Sequence, residues 1–408
     1  MSGGSLEGIK VIDMTSVVVG PLVTQIMADH GADVIKVESK SGDVGRFLGG
    51  LGRTEGMSPK YLHLNRNKRS ISLDLKDEAG RAVLLRLLES ADVLLWNIRP
   101  ASMERLGLSY EEVKRIKTDI IYCGMFGFGQ DGCYRDMPAY DPIIQGVSGV
   151  ADLNRRMTGA PAYVPYVLAD RTTGLIAVQL IAMALFKRER TGQGQSIEVP
   201  MYENMVTQVM TEHMYLHTFE PPIGPFGDPR ILDPLNSPIP TLDGYICISA
   251  NTNEQVFAFF DLTGRPELKS DERFSSISAR FQNVKEYFSI RNESLRSKTT
   301  TEWMKLFSVA DIPAAPFNTL ESLQDDPHLL EAGMFERVEH PTEGPIWNIR
   351  PANKMSGGMR QDFFAAPSLG QDTQDILLEA GYTEQEVAAL IASGVAQQHD
   401  SNVATGGV

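Results

Sequence analysis

Through its first 126 residues the chain switches back and forth between two hydrophobic periods, and that switching limits the folds open to it. Residues 8–14, GIKVIDM, read as an apolar strand, and residues 22–32 read as a helix with Val23, Ile26 and Met27 inward. DVIKVE at 33–38 is the next strand. RSISLDL at 69–75 alternates Ile71, Leu73 and Leu75, as a strand with one buried face does. Residues 77–90 follow as a helix with Ala82, Leu84, Leu85, Leu87 and Leu88 apolar, and 92–98 and 119–126 are further strands. Alternation of this kind implies a parallel sheet covered by helices on both faces, an α/β fold with a Rossmann-like large domain. A nicotinamide site is the obvious suggestion, since Glu38 ends the second strand where a ribose-binding acid would stand. The turn after the first strand contradicts it. SVVVGP offers Gly20 alone where a dinucleotide fingerprint needs three glycines. Glu38 therefore reads as a structural or dimer-contact residue.

A second signal runs from residue 167 to 203, VLADRTTGLIAVQLIAMALFKRERTGQGQSIEVPMYE. Residues 174–186 are almost uniformly apolar, which predicts a helix buried on most sides. The run is too short to span a bilayer and ends in KRER, the cationic last turn that a helix dipole favours. Gly192 and Gly194 supply a stop and a turn, and SIEVPM alternates like a strand. Asp170 stands at the mouth of this helix, either as an N-cap or as a reactive group. Local physics favours the cap, because aspartate is a preferred capping residue.

After about residue 218 the texture changes. FEPPIGPFGDPRILDPLNSPIPT is crowded with proline and glycine and reads as an extended linker. A strand at GYICISA, helices at 253–262 and 284–296, and a capped helix starting near Thr301 and Glu302 suggest a smaller α+β domain. The expected organisation is a large domain over 1–218, completed by 340–394, with linkers and the small domain over 219–339. Residues 395–408 are expected to be disordered. No internal repeat is present.

Several stretches taken together resemble one family. D-x-x-T-G, an apolar helix, KRERTGQGQ, a strand and then Met201 is similar to the class III CoA-transferases, the CaiB/BaiF family that includes formyl-CoA:oxalate and carnitine CoA-transferases. LEGIKVIDMTSVVVGPLVTQIMADHGADVIKVES resembles that family's opening strand, helix and strand. NRNKRSISLDLK, ADVLLWNIRPASMERLGL, GFGQDG and PSLGQDTQDILLEAGYTEQEVAAL follow in the family's order. The resemblance covers nearly the whole chain and implies a homodimer whose subunits interlock as linked rings.

It also implies roles. Asp170 falls on the catalytic aspartate, which attacks a donor acyl-CoA to give a mixed anhydride and CoA thiolate. The thiolate then attacks the aspartyl carbonyl, giving an aspartyl-CoA thioester that an acceptor acid resolves in reverse. The implied CoA contacts are Val17, Val18 and Val19 at the pantetheine and acyl end and the basic stretch Asn65, Lys68 and Arg69. Asn97 and Ile98 would border the adenosine and Arg105 the phosphate, with Arg99, Leu106, Phe126 and Met201 completing the set. Met201 stands where the family has a methionine near the thioester. Tyr140 and Arg171 are candidate contacts of the acid substrate. No prosthetic group is implied, because acyl-CoA is itself a substrate.

Two departures narrow the substrate. Oxalate-handling members carry glutamine where this chain has Val18, and a glycine run after the first domain that is missing here. Oxalate is therefore a poor candidate, and the resemblance implies succinyl-CoA as donor with a small carboxylic or dicarboxylic acid as acceptor. Two alternatives stand beside this reading. α-Methylacyl-CoA racemases share the aspartate but pair it with histidine in G-H-D, where this chain has Ala139-Tyr140-Asp141; a tyrosine titrates too high for easy proton exchange at neutral pH. A non-catalytic acyl-CoA-binding protein is the other.

Charge and composition remove further classes. A net charge of −14 argues against a nucleic-acid partner and an anionic membrane surface. Three scattered cysteines make no disulfide framework, and MSGGSLEGIK holds no apolar signal region. His213 and His217 fit one helix face, but no partner gives them metal-ligand spacing, so no metal is expected. The expected setting is the reducing cytoplasm.

Overall fold

The computed structural model describes residues 3–360 and 362–399. The chain divides into two compact units, the first taking residues up to 148, 164–207 and those from 332 on, the second 149–163 and 208–331. The division differs from the expected one. Residues 149–163 and 208–218 belong with the second unit, and the chain returns to the first at 332 rather than 340.

In the first unit, strands β1 (Lys10–Met14), β2 (Asp33–Glu38), β3 (Lys68–Leu73), β4 (Val93–Trp96), β5 (Ile121–Phe126) and β6 (Gln195–Pro200) form one parallel sheet in the order β3-β2-β1-β4-β5-β6. Val11 faces Val34 on one side and Val93 on the other. Successive side chains alternate between faces. Val11, Val34, Val93, Leu95, Ile121, Cys123 and Val199 enter one core, while Ile12, Ile35, Ile71, Leu73 and Leu94 enter the other. Strands buried on both faces explain why the sequence reads there as near-continuous apolar runs.

The helices in chain order are α1 (Val19–Asp29), α2 (Pro59–Leu64), α3 (Glu78–Leu88), α4 (Pro100–Arg105), α5 (Tyr110–Ile116), α6 (Asp141–Val147), α7 (Val150–Thr158, in the second unit), α8 (Leu168–Thr191) and α9 (Met201–His213). α1 and α8 cover the first core and lie against each other. At Gly174 an added Cβ would meet Val19 O and Leu22 Cδ2 at 3.0 Å, so glycine permits their close approach. α8 is longer than the apolar run inside it. At 24 residues it is long and apolar enough, by length and composition alone, to cross a membrane. Its Ala177, Ile181, Ala184 and Leu185 are instead core residues of the sheet. The expected burial on most sides is corrected: Leu175, Met183 and Phe186 are exposed.

The second unit holds a three-stranded antiparallel sheet of β7 (Ile239–Pro240), β8 (Tyr245–Ile248) and β9 (Ala314–Pro316), with helices α10 (Asn253–Leu262), α11 (Ile277–Gln282), α12 (Val284–Ser294), α13 (Thr300–Val309) and α14 (Pro327–Glu331). Thr299 and Glu302 form a capping box at α13. Phe259, Phe260, Phe274, Tyr287, Trp303 and Phe307 fill its aromatic core.

Back in the first unit come a hairpin, β10 (Phe335–His340) and β11 (Gly344–Ile349), helices α15 (Thr373–Glu379) and α16 (Glu384–Ala392), and a short strand β12 (Ala396–Gln397). β12 pairs antiparallel with β3, Ala396 against Leu73 and Gln397 against Ser72. The disorder expected from residue 395 therefore does not begin there; residues 400–408 lie outside the described residues.

Candidate active site

In a sheet of this order the strand direction of travel reverses between β1 and β4, and ligands of such sheets bind beyond the carboxyl ends of the strands at that point. Two loops leave the sheet there. The loop after β1 carries Thr15, Ser16, Val17 and Val18 into α1, and the loop after β4 carries Asn97. They are tied together, with Ser16 N donating to Asn97 Oδ1 at 3.0 Å and Asn97 Nδ2 donating to Ser16 O at 2.9 Å. Gly20 is required where α1 starts, because a Cβ there would overlap the Thr15 side chain.

α8 precedes β6 and so starts at this same edge of the sheet. Its N-cap is Val167, which makes no side-chain cap, and Asp170 occupies the third helical position. The capping expected of Asp170 is done by another residue. Asp141, the buried first residue of α6, accepts from Ala169 N at 2.7 Å and from Asp170 N at 3.2 Å through Oδ1. Its Oδ2 accepts from Gln145 Nε2 at 2.6 Å, and that buried amide is held in turn by Tyr166 O and Val164 N. Among the described residues nothing donates a hydrogen bond to the Asp170 carboxylate. Burial pushes its pKa up to about 7, with the Asp141 carboxylate adding to the rise and the Lys60 and Arg171 cations opposing it. Lys60 and His63 lie one turn apart on α2. Burial, and then the Arg66 and Arg171 charges, hold His63 below the ordinary histidine value.

The loop after β1 meets the start of α8 through a small apolar cluster. Val18, Leu22 and Leu64 pack with Val17, Ile26 and Val167. Of the three valines expected at the acyl end of a ligand, Val18 and Val19 are buried in packing and only Val17 is half-exposed.

Other expected contacts divide. Arg99 and Arg105 are exposed at the two ends of α4, and among the described residues Arg105 bonds only Ser102 Oγ, at 2.9 Å. Both cations remain open to an anionic ligand. Ile98 and Leu106 are half-buried, and Phe126 packs against Trp96 with its ring tilted, 5.9 Å between centroids. Met201 is buried where β6 passes into α9. Tyr140 is 70% exposed, and the Arg171 guanidinium lies 5.7 Å from the Tyr166 ring.

In the stretch from Asn65 to Arg69, expected to contact CoA, the cations are engaged within the fold. Lys68 Nζ is buried, 3.2 Å from Asp13 Oδ2, and donates to Asn65 Oδ1 and Pro21 O at 2.8 and 3.0 Å. Arg69 pairs with Asp33 at 2.7 Å and Glu379 at 2.8 Å, and Arg66 with Asp29 at 2.7 Å. Each cation is already matched by a carboxylate of the fold. Asn65 donates to Tyr61 O at 3.1 Å and is buried with them. Glu38, read as structural or a dimer contact, is structural: it is buried and pairs with Arg46 at 2.7 Å.

Sequence reasoning did not single out Lys60, Gln145 or the capping role of Asp141. The i, i+4 pair Asp141 and Gln145 on one short helix was the available signal.

Comparison with known proteins points one way. The sequence pattern of CoA-transferase family III matches residues 6–373. Human succinyl-CoA:glutarate CoA-transferase is 32% identical, covering 97% of this chain and 91% of the human protein. Formyl-CoA:oxalate CoA-transferase of Bradyrhizobium sp. (strain ORS 278) is 31% identical over 96% of this chain and 97% of its own length. The crystal structure of a CaiB/BaiF family protein from Brucella suis superposes with a TM-score of 0.77 at 31% identity, covering 93% of this chain and all of that one.

Proposed function

The chain belongs to CoA-transferase family III, and from that premise we propose that it moves coenzyme A from succinyl-CoA to a small dicarboxylic acid, with Asp170 carrying the group in transit. The enzyme class follows from the family; the substrates, the covalent route and the first unit as the CoA-binding one are our reading. The observation that carries it is the state of Asp170. A carboxylate with no hydrogen-bond donor, in a partly dry setting that raises its pKa to about 7, is more nucleophilic than an ordinary aspartate and still substantially ionised near neutral pH.

In the proposed cycle the Asp170 carboxylate attacks the thioester carbonyl of succinyl-CoA, and CoA leaves as thiolate. The thiolate attacks the aspartyl carbonyl of the anhydride, expelling succinate and forming an aspartyl-CoA thioester. The acceptor carboxylate displaces the thiolate to form a second anhydride. Attack of the thiolate on the acceptor's acyl carbon then releases the new acyl-CoA and restores the carboxylate. Lys60 and Arg171, the cations that act on Asp170, suit the carboxylates of both acids, and the exposed Arg99 and Arg105 suit phosphate. The similarity to a succinyl-CoA:glutarate enzyme supports succinyl-CoA as donor and glutarate as the first acceptor to try. A cytoplasmic homodimer is part of the same proposal. The free state of all three cysteines and the exposed Leu175, Met183 and Phe186 of α8 support it.

The test is mass spectrometry of acyl-CoA products from succinyl-CoA and a panel of mono- and dicarboxylic acids. A new acyl-CoA that is absent with Asp170→Ala is the expected result. Turnover surviving in that variant would remove Asp170 from the mechanism. Deuterium entering C2 of a 2-methylacyl-CoA, with no transfer to any acid, would make the chain a racemase.

A further inference from the structure

Val17 has φ of +70°, left-handed backbone that a β-branched residue adopts only where its surroundings impose it. The imposing group is Asp43, from the turn after β2. Its Oδ1 accepts from Val17 N at 2.9 Å and from Gly45 N at 2.7 Å. Its Oδ2 lies 2.9 Å from the Lys36 ammonium, in a pair fully sealed from water. Lys36 Nζ also donates to Thr15 O at 2.8 Å, and Thr15 N donates to Asp13 Oδ1 at 2.9 Å. Asp13 completes the group through Lys68. Three consecutive loop residues are thus gripped by side chains from separate parts of the sheet: Thr15 by Asp13 and Lys36, Ser16 by Asn97, Val17 by Asp43.

We propose that Asp43 is a positioning residue for the transfer reaction, which holds Val17 in its left-handed conformation and so fixes the loop packed against the Asp170 end of α8. The inference rests on the reading of Asp170 as the reacting carboxylate. A network of two buried cations and two buried carboxylates inside a parallel sheet is a costly way to gain stability, since apolar side chains of similar volume generally do as well or better. Its output is directional: it reaches the loop at the Thr15 N–H, carbonyl and hydroxyl and at the Val17 N–H. Val17 in turn packs on the Val18, Leu22 and Leu64 cluster, and so does Val167, the residue from which α8 starts. A loop released from Asp43 would relax toward negative φ at Val17 and disturb the apolar cluster on which the start of α8 packs. Asp43 itself is buried.

Because the work assigned to Asp43 is to impose one backbone angle, glycine at position 17 should make it dispensable. The experiment is a double-mutant cycle of Asp43→Ala and Val17→Gly, reading kcat and KM with succinyl-CoA and glutarate, together with deuterium uptake over residues 13–24. Asp43→Ala is expected to lower kcat tenfold or more while KM for succinyl-CoA stays within threefold. In the Val17→Gly background the same change should cost less than threefold. A purely structural role would lower the melting temperature and give equal losses in both backgrounds, and equal losses, or a folded Asp43→Ala enzyme with full kcat, would overturn the proposal. Asp43→Asn guards against misfolding. It keeps the shape but must give up either the Val17 or the Lys36 contact, and its smaller kcat loss should again vanish with Val17→Gly. If the wild-type protein transfers CoA to no acid, the reading of the reaction fails, and uptake still decides the anchor. Faster exchange over 13–24 in Asp43→Ala but not over 253–262 supports it, and unchanged exchange over 13–24 refutes it.

Discussion

Replacing Asp170 by asparagine removes a carboxylate that the fold holds at a cost, so the variant should lose its activity and gain stability, the gain growing with pH. The folded pKa of Asp170 stands at about 7 against an ordinary 3.8. Between those values the folded chain binds the proton more tightly than the unfolded chain does, and stability therefore falls as pH rises. The penalty is absent below the unfolded pKa, about a third developed by pH 5 and complete above about pH 7.5. A tenfold change in proton affinity is worth about 1.4 kcal/mol, which sets a ceiling of about 4 kcal/mol. Water reaching the half-buried side chain screens the charge and brings the figure nearer ~2 kcal/mol. With an unfolding entropy of ~2.1 cal/mol/K per residue, this corresponds to a rise in Tm of roughly 2–3 °C at pH 8 and under about 1 °C at pH 5. Thermal melts of wild type and Asp170→Asn at the two pH values, with acyl-CoA turnover measured on the same preparations, make the assay. A variant that melts no higher than wild type at pH 8 would refute the argument, because the carboxylate would then carry no penalty for the amide to remove.

Three further outcomes follow from the same geometry. Asp141→Asn keeps an oxygen for Ala169 N but removes the like charge beside Asp170, so the acidic limb of kcat/KM should move to lower pH; a limb that stays put would show that Asp141 exerts no electrostatic control. Arg105→Ala removes one charge-assisted contact, worth on the order of 1.5–3 kcal/mol, and should weaken CoA binding tenfold or more by calorimetry, while unchanged affinity would displace the phosphate from α4. Lys68→Met leaves Asp13 unpaired in the sheet and should lower stability by ~3–5 kcal/mol in denaturant titration, with CoA affinity of the folded fraction retained; a selective loss of CoA affinity would restore Lys68 to the ligand.

The parallel sheet was legible because its central strands bury both faces, which writes apolar runs into the chain, while the edge strand β6 alternates with Ser196 and Glu198 exposed. Element edges were less so. α1 starts at Val19 rather than at residue 22, because Val17-Val18-Val19 looks like strand and only the grip on the loop turns it into a helix entry. The internal pairing of the stretch from Asn65 to Arg69 was hidden for a related cause. A run of cations looks solvated unless its carboxylates are known, and Asp13 lies 55 residues before Lys68. Asp170 was singled out by motif, whereas the local preference for a capping role was wrong, since the residue that caps α8 comes 29 positions earlier. In each case the missing information was a contact distant in sequence and close in the fold.

Those 29 positions bear on the chemistry itself. An aspartate in the first turn of a helix ordinarily gains from the free amides and the positive end of the dipole, which lower its pKa. At α8 the amides of Ala169 and Asp170 are already taken by Asp141, whose second oxygen is held by Gln145. One carboxylate thereby does the structural work and, among the described residues, the other is left without donors, so the proposed cycle gives two acids at one helix end different roles. Asp141→Ala should collapse that distinction. With the two amides released, the Asp170 side chain can fold back to accept from its own helix end. Its pKa should then fall further than in Asp141→Asn, where the cap survives. Turnover should fall with it, because a carboxylate bound to its own helix is both less nucleophilic and turned away from the thioester. The two variants share the loss of charge and differ only in the cap. Equal acidic limbs and equal kcat for Asp141→Asn and Asp141→Ala would therefore show that the capping hydrogen bonds have no part in setting the reactivity of Asp170.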